Sequence, residues 1–212
     1  MHFEKPGKQN TQETVKIALQ AAKELGIDTI VVATSTGDTA DLLKDAAQSG
    51  LHVVAVSHCF GFKDPEEQEM PAQRKAALEA AGIQVYTATH VLSGAERGLS
   101  AKFGGISPIE VMAHSLRMLG QGTKVAVECA VMALDGGLIP YQKPVISIGG
   151  SGRGGRYGLG AAYSPCRQYS GYKNRPGTVQ TGAAVAAAAS RPGPLALAGF
   201  FRGDWPVFVI FL

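Results

Sequence analysis

Three short apolar runs, rich in β-branched residues and separated by helix-patterned segments, constrain this chain more than anything else in it. Residues 29–33 read TIVVA, 52–56 HVVAV and 83–86 IQVY. A continuous β-branched run is the signature of a strand covered on both faces. Ahead of the first run, residues 11–25 place Val15, Leu19, Ala22 and Leu25 at helical spacing, and Gly26 follows as a stop. Residues 40–48 predict a second helix, closed by Ser49-Gly50. Pro71 suits the first turn of a third, running to Ala80. This βαβαβ rhythm predicts a parallel sheet between helices. Further on, residues 108–119 predict a helix and 145–148 (VISI) another buried strand. Residues 124–134 fit either state, with their Ala content and the Asp135-Gly136-Gly137 stop favouring helix. The stretch 87–105 reads as an irregular connection, and long ordered connections in compact domains tend to be functional.

A chain of 212 residues holds one ordinary domain, and has no room for a (β/α)8 barrel plus anything else. Hydrophobic residues at 45% and charged residues at 17% suit a sizeable core. The net charge of +3 is unevenly placed. Residues 156–212 carry six Lys or Arg and one acid, Asp204, whereas 1–155 carry 14 basic and 16 acidic residues. A mildly acidic body gives no reason to expect a nucleic-acid partner. Cys59, Cys129 and Cys166 form no C-x-x-C pair, so neither a disulfide framework nor a zinc site is expected, and reduced thiols fit a cytoplasmic protein. The first residues lack the apolar run of a secretory signal, and no stretch of about 18 apolar residues suggests a membrane partner.

Two turns can hold an anion. The first follows strand 29–33: Ser35, Thr36, Gly37, Asp38 and Thr39 lead into the next helix. Backbone N–H groups at a helix start have no intrahelical partner and favour negative charge. Ser35, Thr36 and Thr39 add hydroxyls, and Gly37 permits close backbone approach. Asp38 counts against a phosphate unless its side chain points away, and a plain capped turn reads equally well, because the lysine of a P-loop is missing. The second follows strand 145–148: Gly149, Gly150, Ser151, Gly152 and Arg153, with the arginine suited to phosphate. In an open α/β sheet the strand C-termini share one crevice where ligands gather. Between the two turns lie His90, Ser93, Glu96 and Arg97. A nucleophilic Ser93 would need an oriented base, which spacing alone does not supply. Hydrogen bonds that tie down the loop are the simpler reading. A His58–Cys59 dyad is disfavoured, because adjacent residues on an extended chain point to opposite sides.

Several long motifs in order (VVATSTGDTA, SHCFGFKDPEEQEM, THVLSGAERGLSAKFGGISPIEVMAHSLRMLGQG, VAVECAVMALDGGLIP and ISIGGSGRG) resemble a family of stand-alone proteins similar to the C-terminal α/β domain of pyruvate kinase. The resemblance covers about residues 10–154. It implies an α/β fold, a three-layer α/β/α arrangement with a mostly parallel five-stranded sheet. It implies no kinase activity, since that chemistry belongs to a separate barrel. It further implies a phosphate-bearing ligand in the crevice, flavin mononucleotide (FMN) or a phosphorylated metabolite, held through a turn that Ser35, Thr36, Gly37, Asp38 and Thr39 resemble; the shared strand-end crevice adds His90, Ser93 and the 149–153 turn as expected contacts. The alternative expectation is a metabolic enzyme working through His90–Arg97. No metal is expected, and a homo-oligomer stays open.

The chain departs from the family's pattern after Gly154. There the family would continue Ala-Asp-Thr-Ala-Trp-Val-Leu-Arg, and this chain reads GRYGLGAAY over 155–163. The codons GGN CGN TAY GGN YTN GGN GCN GCN TAY, read one base later, can encode that continuation in order. The segment 156–212, low in periodicity and rich in Gly, Ala, Arg and Pro, therefore reads as a frameshifted tail attached to a 1–155 domain. A genuine lineage-specific tail is the alternative.

Overall fold

The computed structural model describes residues 7–150 and the backbone of 207–211. Five strands form one sheet: β1 (Thr29–Ala33), β2 (His52–Ser57), β3 (Ile83–Thr87), β4 (Val145–Gly149) and β5 (Val207–Phe211). Their order is β3-β2-β1-β4-β5, and every neighbouring pair is parallel. Ile30 sits beside Val53 of β2 on one side and Ile146 of β4 on the other. The α/β class and the five parallel strands agree with expectation. Most of the tail lies outside the described residues, so the frameshift and the domain boundary at 155 fall there too. Only its last apolar run is described, as β5.

β1, β2 and β4 are buried on both faces, as their runs without polar alternation require, whereas β3 leaves Gln84 and Thr87 exposed. On one face Ile30, Val32, Val53, Ala55, Ile83, Ile146 and Ile148 meet Val15, Ala18 and Ala22 of α1 (Thr11–Leu25), together with Leu43 and Leu78. On the other, Val31, Val54, Val56 and Val145 meet Cys129, Met132 and Ala133 of α7 (Gln121–Asp135). Each fully buried Val, Leu or Ile contributes about 1.5–3 kcal/mol relative to exposure. Gly26 ends α1 at φ 63°, in the left-handed region that favours glycine. The ambiguous stretch at 124–134 is helical and runs longer at both ends, as α7.

Two expectations need correction. The single helix expected over 40–48 is two short ones, α2 (Asp38–Asp41) and α3 (Lys44–Gln48). At the break, Leu42 and Leu43 donate to Thr39 and Ala40, three residues back, a tightening that drives Leu43 fully into the core while Leu42 stays out. The stretch 87–105 is not irregular throughout: it contains α5 (Ala95–Phe103). Gly94, Gly98, Gly104 and Gly105 hide that helix in the sequence. What holds it is polar and local: Glu96 Oε1 accepts from Gly94 N at 2.6 Å, and Ser100 Oγ donates to Glu110 at 2.9 Å. Glu110 belongs to α6 (Pro108–Arg117), which opens on a complete capping box with Ser107. The remaining helix, α4 (Ala72–Ala80), joins β2 to β3.

Candidate functional site: the crevice at the strand C-termini

Parallel pairing carries the C-terminal ends of β1, β2, β3 and β4 to one edge of the sheet, and four connections leave from it. The turn after β1 is tied at its base. Thr34 N donates to Val56 O of the neighbouring strand at 2.9 Å, and Thr34 Oγ1 accepts from Gly37 N at 3.0 Å. Gly37 stands at φ 97° as the residue before α2. Among the described residues, the hydroxyls of Ser35, Thr36 and Thr39 form no hydrogen bond. Asp38 is turned toward α4, where Arg74 Nη2 donates to it at 3.2 Å, and the same guanidinium pairs with Asp41. The stem of Arg74 fills the space above Gly37: a Cβ there would lie 2.7 Å from Arg74 Cγ. Glycine at 37 therefore serves the packing of Arg74 as well as the backbone turn. Nothing in the sequence marks Arg74, because α4 reaches the turn only once β2 is in place between them.

The second and third connections meet in a cluster of rings. His58 stacks on Phe62, with centroids 3.9 Å apart and planes at 27°, and His90 stands edge-on to both at 5.4 and 5.2 Å. His58 Nδ1 pairs with Glu69, which Lys63 also reaches. Burial acts to raise the Glu69 carboxyl, but bonds from Lys63 and His58 outweigh it and hold the group below its ordinary range. His58 is thus engaged by Glu69 rather than by Cys59, and no dyad forms. Ser57 Oγ and Thr87 Oγ1, 2.5 Å apart, tie the ends of β2 and β3 together.

Beneath His90 lies a buried ion pair that the expected site does not include. Lys124 and Glu128, each 4% exposed, pair one turn apart on α7. Glu128 Oε1 also accepts from Leu92 N at 2.9 Å, so the pair holds the loop after β3 against the helix. Burial pushes the Lys124 ammonium below its ordinary value, with Glu128 opposing. Burial likewise lowers His90, partly offset by Glu128 and reinforced by the His58, Lys124 and Arg97 charges. His90 is therefore neutral at pH 7, with one ring nitrogen to donate and one to accept. A lysine and a glutamate four apart within an otherwise apolar helix was the available signal for this pair.

Other residues expected in the site are placed differently. Ser93 meets His90 through the backbone, its N–H donating to His90 O at 3.1 Å, which closes a loop turn rather than a nucleophile–base pair. Glu96 caps α5 at Gly94. A shallow depression of about 300 Å³ is lined by Thr89, His90, Gly94, Ala95 and Glu96. Gly149 lies against α7: a Cβ on it would run into the carbonyl oxygen of Gly122 and stand 2.5 Å from Ala126 N. Its bareness lets the helix cross the strand end. Gly150 follows it at the crevice, and Ser151, Gly152 and Arg153 lie outside the described residues. Among the described residues no group of three or more His, Cys, Asp or Glu is arranged to hold a metal ion, and no helix is long and apolar enough to cross a membrane.

A family model described as the pyruvate kinase α/β domain matches residues 12–158, more than half of the chain. The chain belongs to that family. The match takes in β1 to β4, α2 to α7 and all of α1 but its first residue, and the connections after β1, β2 and β3 lie inside it. Among solved structures, a mutant of O-ureido-L-serine synthase with O-ureido-L-serine bound is similar at 16% identity and a TM-score of 0.28. That match covers 66% of this chain and spans half the length of the other, and likeness at this level carries no argument about function.

Proposed function

We propose that this pyruvate kinase α/β-type domain binds a phosphate-bearing small molecule, FMN or a phosphorylated metabolite, in the crevice at the strand C-termini. The observation that carries this reading is the turn after β1. Three hydroxyls, those of Ser35, Thr36 and Thr39, form no hydrogen bond among the described residues, and they surround a glycine in the left-handed region. The negative charge of Asp38, which would repel a phosphate, is matched by Arg74. On the same sheet edge the His58–Phe62–His90 rings supply aromatic faces of the kind that accept a flat ring system. Neutral His90 and the loop it stands on complete the wall.

A charge-assisted hydrogen bond from a hydroxyl is worth about 1.5–3 kcal/mol, so losing one weakens binding roughly tenfold or more. Titration of FMN by fluorescence quenching, and of sugar phosphates by calorimetry, is expected to show that loss in Thr36→Ala and Thr39→Ala. Binding that ignores both variants but fails in His90→Ala would move the site to the loop after β3. Absence of binding by the wild-type chain would refute the proposal.

A further inference from the structure

The α5–α6 hairpin carries an apolar surface that the crevice does not use. Leu99 and Phe103 lie one turn apart on α5, and Ile106 lies in the connection to α6; all three are more than half exposed. On α6 and the turn that continues it, Val111, Met112, Met118 and Leu119 are likewise exposed, Met118 to 77%. Large apolar side chains exposed singly are ordinary on a protein surface, whereas several gathered on one two-helix hairpin mark an interaction site.

The spacing says what fits there. On a helix, positions 111, 112, 115, 118 and 119 fall on a single stripe. The stripe is symmetric about its middle residue, Ser115, with Val111-Met112 on one side and Met118-Leu119 on the other. A second copy laid antiparallel, with a two-fold axis through Ser115, brings Val111 against Leu119 and Met112 against Met118 of the other chain. Self-complementarity of this kind is what an isologous interface requires. Ser115 is small enough to let the two helices approach. Its hydroxyl already donates to Val111 O at 3.0 Å, so covering it strands no donor. The inner side of α6 is used: Ala113 is buried, and the helix packs on α7.

We propose that the outer face of α6, flanked by α5, is a homodimer interface with its two-fold axis at Ser115. The inference does not depend on any ligand in the crevice. Sedimentation velocity on the full 212-residue chain is expected to give twice the monomer mass, with a dissociation constant of about 1 μM or tighter. The double variant Met112→Glu/Met118→Glu is expected to weaken association at least 100-fold while its far-UV circular dichroism stays that of the wild type. Ser115→Cys is expected to form a covalent dimer on oxidation well beyond the wild-type background. A wild-type chain that stays monomeric at about 50 μM would overturn the proposal, whether residues 156–206 or another protein then covers the stripe. A dimer indifferent to the double variant, or one that Ser115→Cys fails to cross-link, would overturn it too.

Discussion

Replacing Gly149 by alanine adds a single methyl group, and the structure predicts a large loss of stability. The new Cβ would face the Gly122 carbonyl oxygen and lie 2.5 Å from Ala126 N and 2.9 Å from Ala126 Cβ. Ordinary contact needs roughly 3.4 Å or more, so α7 must retreat from β4 by about 1 Å. The obstacles are backbone atoms, which cannot swing aside as a side chain can. The same helix buries Cys129, Met132 and Ala133 against β1 and β2, and Ser147 Oγ donates to Ala126 O at 2.7 Å, so a retreat loosens that whole face. Overpacking costs about 1–3 kcal/mol, and this case belongs at the top of the range. About 3 kcal/mol lowers the thermal midpoint of a domain this size by roughly 6–12 °C. The control is the same substitution in α5: a Cβ on Gly98 meets nothing within 4 Å, and its φ is not in the left-handed region. Gly98→Ala should therefore stabilise by about 0.5–1 kcal/mol through helix propensity. Urea unfolding followed by far-UV circular dichroism measures both. A cost below about 1 kcal/mol for Gly149→Ala, or the same sign for the two variants, would refute the packing argument.

Two further outcomes follow from the charges around the crevice. Burial holds His90 below its ordinary value, so its contribution to stability is full above about pH 6.5 and is lost as pH falls from there through the folded-state value. His114, lowered by burial and by Arg117, acts in the same window. The thermal midpoint should drop between about pH 7 and 5, and His90→Gln should flatten part of the drop; equal slopes in both proteins would contradict this. Lys124→Met leaves Glu128 buried without its cation, at a cost of about 3–5 kcal/mol. Adding Glu128→Gln, which keeps an acceptor for Leu92 N, should recover most of that loss in urea unfolding, and a double variant no more stable than the single would show that the charge is not the cause.

What the sequence determined is the layering. TIVVA, HVVAV and VISI have no polar side to offer water, so they had to lie between two helical layers, and helices between parallel strands follow from that. The position of the turn after β1 followed as well, since a strand run ending in small polar residues and glycine leaves the chain nowhere else to turn. The tertiary structure decided what faces each turn. Arg74 stands over Gly37, although they lie 37 positions apart, because β2 and the loop after it return α4 to the same edge. His58, Phe62 and His90 form one cluster because β2 and β3 end side by side, held through Ser57 and Thr87. Lys124 looked like one more charge on a helix until burial against the loop after β3 made its pairing with Glu128 obligatory. Helix periodicity reports which side of an element is apolar. It does not report which distant element that side will meet, and α6, with one apolar side on α7 and a second facing outward, shows both halves of that rule.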